Sequence, residues 1–472
     1  MHHLIEKASK GLKRIRTVIM VTVFSFSSLF YLMGIAYAGE IEESVYSAIR
    51  TSNAQENISV IVRMVEQPDL LKMKQGFNDT RRRVRSSRFA GWLKEFASVK
   101  QCDIRKYLER EKTLGALKQC TPFWIFNGFA ISATPKVILA LAKRSDVRSI
   151  SMDRSIPLPG YYIGRAITSP SSFEWNIAKI KAPEVWESGI DGTGVVVGVF
   201  DTGVDDTHPD LAGKYRGGNN SWFDPYGDHE HPHDSVGHGT HVAGTIVGGS
   251  NGGTSIGIAP GAQWIAAKAW DDYGMSSTSN FHLIFQWFLD PDGNPQTDDA
   301  PDVVNNSWGM GMRFLCNREF EADIQAWISA GIIPVFSAGN GGDSPFTGIV
   351  PAAYPEVISV GATDIEDRIA EFSSRGPSIC DFSVFPTISA PGVDIGSAQP
   401  GRHYISFNGT SMACPHVVGT VALMLSANHD LSLDDIKQTL QDTATPLGII
   451  TPNNNYGWGL INAYEAVMSV MQ

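Results

Sequence analysis

Basic residues are scarce over most of this chain. From Ser155 to the end there are 12 Lys and Arg against 35 Asp and Glu, a net of −23. Such a surface excludes nucleic-acid binding by that part. Cysteine is scarce too: five in 472 residues cannot form the dense disulfide frame of a small secreted domain. Charged residues are only 18% of the chain, which excludes a disordered polyampholyte. After residue 38 no segment reads as membrane-spanning.

What is present is apolar mass and glycine. Hydrophobic residues make up 43%, with 11 Trp and 46 Gly. That allows a large core with many tight turns, and the length implies two or more folded units. The N-terminus has its own layout. Lys7, Lys10, Lys13, Arg14 and Arg16 precede the uncharged run "TVIMVTVFSFSSLFYLMGI", then Ala36-Tyr37-Ala38. Basic, apolar, then A-x-A is a secretory signal peptide over 1–38, with an uncleaved membrane anchor as the alternative. Export lets cysteines pair. Cys102 and Cys120 lie early, and Cys316, Cys380 and Cys414 lie late. One bridge in each half leaves Cys414 single.

From Gly39 to Arg154 the balance reverses, with 21 Lys and Arg against 13 Asp and Glu. "NISVIVRMV", "FWIFNGFAISAT" and "VRSISMD" read as strands. Residues 78–113 read as one long helix or two, and "PKVILALAKRSD" as a helix opened by proline. Residues 39–154 are therefore a small α+β unit. A proline- and glycine-bearing linker covers 155–172. From 173 to 472 the texture is α/β. "GVVVGVFDTG", "QWIAAKAW", "DVVNNSWG", "GIIPVFSAGN" and "PEVISVGAT" are short buried strands alternating with helices, which implies a mostly parallel sheet covered on both faces. The polar tails "DTG", "NNSWG" and "SAGN" fall at strand ends, where such a sheet binds ligands. "DGTGVVVG" is not a dinucleotide fingerprint, because its glycines precede the strand.

Three stretches carry nucleophilic chemistry. "VFDTGVD" holds Asp201 at a strand end. "GHGTHVAGT" holds His238 and "FNGTSMACPHVVG" holds Ser411, each at a helix start. A serine hydroxyl needs a base, and the base needs a carboxylate to fix its tautomer and stabilise its cation. Helix starts and the amide of Asn340 in "SAGN" offer donors to a developing oxyanion. "DTGVD", "HGTHVAG", "SAGN" and "GTSMACPH", in that order, resemble the subtilisin-like serine proteases. "VVNNSWG" and "EFSSRGPS" look closest to the bacillopeptidase F branch of that family.

The resemblance implies a secreted endopeptidase acting on protein or peptide substrates outside the cytoplasm, as a monomer with no membrane attachment once its signal is removed. It implies that the basic unit is a ferredoxin-like propeptide, a folding partner and inhibitor cut away at or near 153–173. It implies a substrate-lining strand at Asn306, Ser307, Trp308 and Gly309. With Gly339, Gly309 suggests a pocket left open for a side chain, and the family favours a large apolar one there. It implies a calcium site made by Asp210, Asn251 and the carbonyls of Gly249, Gly253 and Ser255, although the family's early glutamine has no match in "SPSSFEW". His241, in the same motif, becomes a structural helix residue. Apart from the resemblance, Cys414 reads as a buried small residue or a thiol that makes the enzyme sensitive to thiol reagents, and Cys316 with Cys380 is a candidate bridge. His229, His231 and His233 form an H-x-H-x-H pattern that could hold zinc; a solvated loop is the plainer reading. "DPDGNPQTDD" fails the EF-hand spacing and reads as an acidic surface turn. The rivals are a binding scaffold on an inactive protease fold and a metal-dependent hydrolase using the histidine loop.

Overall fold

Short apolar strands, most deeply buried in Ile58–Met64 and Gly128–Ala133, form the sheet of the N-terminal unit. In this computed structural model residues 39–76, 82–160, 162–166, 174–311 and 315–471 are described. The signal-like segment at 1–38 lies outside them. Ile58–Met64, Leu117–Phe123, Gly128–Ala133 and Val147–Met152 pair as one antiparallel sheet, with Glu40–Ile41 added at an edge. Helices Arg82–Lys100 and Cys102–Thr113 precede the hairpin, and Pro135–Ala142 follows it. The chain order strand-helix-strand-strand-helix-strand gives the expected ferredoxin-like form. The stretch read as one strand, "FWIFNGFAISAT", turns back over Trp124–Asn127. Gly128 opens the returning strand, and a β-carbon there would lie 2.6 Å from the Val62 carbonyl oxygen of the neighbouring strand.

The larger unit is a seven-stranded parallel sheet. Its order is Ile388–Pro391, Ile358–Thr363, Ile333–Ser337, Val303–Asn306, Val196–Asp201, Gln263–Lys268 and Trp222–Phe223. Several of these strands are buried at every residue, which explains their unbroken apolar runs. The chain fills one side of Val196–Asp201 first, then crosses to the other. Asp201 thus ends the strand at the switch point, where an open α/β sheet forms its cleft. One described helix, Thr410–Ala427, is long and apolar enough to cross a membrane, but 89% of its apolar window is buried. It is the core helix, and Gly419 lets it approach Ile258 closely.

Opposite charges join the two units. Arg63 donates to Glu319 Oε1 at 2.8 Å, and Lys94 pairs with Asp290. Gln286 accepts from the backbone N–H of Trp124 at 2.7 Å. Phe89, Leu93, Phe123 and Phe126 join Phe281, Phe285 and Trp327 in one apolar cluster. Cys316 and Cys380 form a disulfide, whereas Cys102 and Cys120 stay unpaired. The early bridge considered from sequence is absent.

Candidate active site

Asp201 leaves the sheet at the end of its strand and is buried. Its Oδ1 accepts from His238 Nδ1 at 2.7 Å and from the Thr202 N–H at 2.8 Å. His238 opens helix His238–Val247, which packs on helix Thr410–Ala427 carrying Ser411 in its first turn. Burial pushes His238 toward the neutral form. The charge and hydrogen bond of Asp201, with Asp234 adding, outweigh it, so the pKa is raised above the ordinary value.

Asp234 lay inside a stretch whose histidines drew the eye, and the sequence reading passed over it. It is buried before the histidine helix and accepts five hydrogen bonds. Oδ1 takes Thr202 Oγ1 and the N–H groups of Val236 and Gly237. Oδ2 takes the N–H and hydroxyl of Thr240. An acid four residues before a helix start is the signal that was available, because it can satisfy the orphan N–H groups there.

Ser411 Oγ donates to the Ser307 carbonyl at 3.1 Å, and Ser307 Oγ donates back to the Ser411 carbonyl at 2.8 Å. Asn340 Oδ1 accepts from the Thr410 N–H at 3.0 Å and its hydroxyl at 2.9 Å. With its oxygen so held, the amide's N–H₂ end is left on the Gly409 side. Gly339 N–H bonds Thr410 Oγ1 at 3.1 Å. Asn340, Gly339 and Ser307 therefore all hang on the turn that presents Ser411.

Other expectations need correction. Asn306 spends its side-chain N–H₂ on Val304 and Val335 carbonyls inside the sheet. Trp308 turns its ring into the aromatic core against Phe200 and Phe281. Both side chains face inward, while the pairing expected of this segment with an extended peptide is a main-chain one. The space beside Gly309 and Gly339 is not open: Ile349 fills it. His241 is structural, as expected, with Nε2 facing the Ile395 and Ile405 carbonyls; burial takes its pKa down to about 3. Burial pushes the Cys414 thiol up, which makes it a poor nucleophile.

His229 and His233 stack at 4.0 Å, and His229 Nε2 lies 3.0 Å from Asp272. The buried Lys268 already supplies a cation to Asp272 at 3.0 Å. The "DPDGNPQTDD" stretch is a surface turn, exposed at Asp292–Asn294, with Asp290 and Asp299 buried at its ends and Lys94 paired with Asp290. Of the expected calcium ligands, Asn251 and Gly249 lie against Asp210. Asp210, only 1% exposed, accepts from Asn251 N–H at 2.6 Å and from Tyr404 hydroxyl at 2.7 Å. Gly249 lies against its carboxylate, and the Ser255 carbonyl accepts from Glu174 N–H at 3.0 Å. Both donors to Asp210 are neutral, so an oxygen-seeking cation there would offset a buried charge.

A family description, the subtilase family, matches residues 192–459. The chain belongs to that family. Bacillopeptidase F of Bacillus subtilis (strain 168) is 40% identical over 410 residues, 80% of this chain. This subtilase spans only 28% of that protein's length. Subtilisin Savinase of Lederbergia lenta is 37% identical over 295 residues, 62% of this chain and 98% of that protein. An alkaline protease of Alkalihalobacillus alcalophilus is 36% identical over 324 residues, covering 68% and 76%. The likeness supports the bacillopeptidase F-like branch.

Proposed function

We propose that this chain is an exported serine endopeptidase made as a self-inhibited precursor. The observation that carries the reading is the 2.7 Å bond from His238 Nδ1 to buried Asp201, beside a helix start that presents Ser411. Ser411 Oγ attacks the peptide carbonyl carbon and gives its proton to His238 Nε2. Asp201 holds the Nδ1–H tautomer and stabilises the imidazolium. Asn340 Nδ2 and the Ser411 N–H receive the oxyanion. His238 then protonates the leaving amine. Water repeats the cycle on the acyl-enzyme.

The basic unit acts as propeptide, and the maturation cut falls between Leu158 and Tyr162. Three contacts support this. Ser155–Pro157 pairs antiparallel with Met275–Ser277, and Leu158 N–H donates to Gly274 O at 2.9 Å. Tyr162–Ala166 then pairs with His403–Asn408, which ends just before Ser411. The two pairings thus bracket the expected cut, one on each side of it. Export is supported by the basic-apolar-AxA start and by the Cys316–Cys380 bridge. Calcium at Asp210, Gly249, Asn251, Gly253 and Ser255 would tie the early chain to the histidine helix and stiffen the fold.

A fluorophosphonate probe tests the reading. Covalent label on Ser411 with loss of casein cleavage is expected. Chelator should lower the melting temperature while leaving initial activity at 25 °C unchanged. Instant loss of activity on chelation with no label at Ser411 would instead favour a metal hydrolase built on the histidine loop.

A further inference from the structure

The slot that would receive the substrate residue before the cut bond is occupied. Two segments flank Ser411. One is Ser307–Gly309, tied to Ser411 by the reciprocal serine contacts. The other is Gly339–Asn340, tied to Thr410. In the peptidase reading above, the gap between these segments is the place for the side chain of the residue whose carbonyl Ser411 attacks. Both α-carbons facing that gap belong to glycines. The sequence reads them as open walls.

Ile349 enters from a third segment. Its N–H donates to the Ala338 carbonyl at 3.3 Å, and its neighbour Val350 pairs with Met310 in both directions. That ladder fixes its backbone as the floor of the gap. A β-carbon added to Gly309 would stand 2.4 Å from Ile349 Cδ1, and one on Gly339 2.9 Å from Ile349 Cγ2. The branched side chain thus lies against both glycines and takes the volume they leave. Gly309 and Gly339 make room for Ile349, not for a large substrate residue.

We infer that Ile349 is the specificity-determining residue of this peptidase and restricts the residue before the scissile bond to small side chains, alanine, glycine or proline in class. The inference rests on the peptidase reading above.

The test uses mature enzyme and two chromogenic tetrapeptides, Ala-Ala-Pro-Ala and Ala-Ala-Pro-Phe p-nitroanilides. Active sites are titrated with a small fluorophosphonate so that rates refer to competent enzyme. The wild type should favour the alanine substrate by about 10- to 100-fold in kcat/KM, the range a misfit in an apolar pocket produces. Ile349→Gly should reverse that preference, and Ile349→Ala should reduce it if the glycine form folds poorly. A wild type that cuts after phenylalanine as well as after alanine overturns the inference. So does an unchanged ratio in the fully titrated variants. Failure of the peptidase reading itself looks different: Ser411 takes no phosphonate and neither peptide is cut, which removes the inference with its basis.

Discussion

His238 and His282 are both buried, both face an aspartate and both have raised pKa values. In each, burial opposes the charge and nearby carboxylates win. Their surroundings still differ. His282 commits both ring nitrogens: Nδ1 lies 3.0 Å from both oxygens of Asp323, and Nε2 lies 3.2 Å from Glu319. Phe123 and Phe126 of the N-terminal unit cover its ring at 5.3 and 4.8 Å. Arg63 of the same unit completes the charge balance at Glu319. Burial would raise Glu319, but His282 and Arg63 hold it down at about 2. His238 sits instead at the end of the sheet with Nδ1 on one carboxylate, beside the helix that carries Ser411. A histidine boxed between two acids is a joint. One paired with an aspartate where a sheet strand ends, beside a helix that presents a serine, is placed to act as a base.

The sharpest way to break that contrast is to remove one partner from each pair. Asp201→Asn should cut kcat/KM by about 10⁴-fold, the scale typical of serine-peptidase triads, with little change in melting. His282→Gln should do the reverse. It leaves buried Asp323 without its cation and Glu319 with Arg63 alone, costing about 3–5 kcal/mol in urea unfolding of the Ser411→Ala precursor. Turnover per folded enzyme should not change. The pH signs differ as well. His282's raised pKa gives stability that is complete below the ordinary histidine value and lost as pH climbs through the folded value. The precursor should therefore weaken on the alkaline side, and the His282→Gln precursor should lack that decline.

Asp234→Asn is subtler. Asp234's charge helps raise His238. Activity needs neutral His238, so kcat/KM rises as pH passes its pKa. Removing the charge should move that limb to lower pH, and the lost acceptor geometry should cost about 1–2 kcal/mol at the helix start. An unmoved limb would mean that Asp234 only caps the helix. Lys94→Ala, the smallest change, should weaken docking of the N-terminal unit by under about 1 kcal/mol, because the lysine is partly exposed.

Much of this contrast was legible in the sequence, for physical reasons. Strands such as Val303–Asn306 are buried on both faces, so their apolar runs are local and visible. Asp201, His238, Ser411 and Asn340 each sit where a strand ends or a helix starts, and glycine-rich turns mark those points. Features made by distant segments were hidden. Gly309 and Gly339 look empty until Ile349 arrives from its own segment. Trp308 looked like part of a substrate strand, but the pleat alternates and sends its ring inward. His282 sits in an apolar helix, and nothing local shows that Asp323, Glu319 and Arg63 will meet it.

The most direct measurement is the intact mass and N-terminal sequence of two exported proteins, wild type and Ser411→Ala. A new N-terminus between Leu158 and Tyr162 in the wild type, with the variant left uncut there, is the predicted result. It would make Ser411 the nucleophile and the basic unit a propeptide. Two chains left whole, or trimmed alike at that segment, would contradict the account.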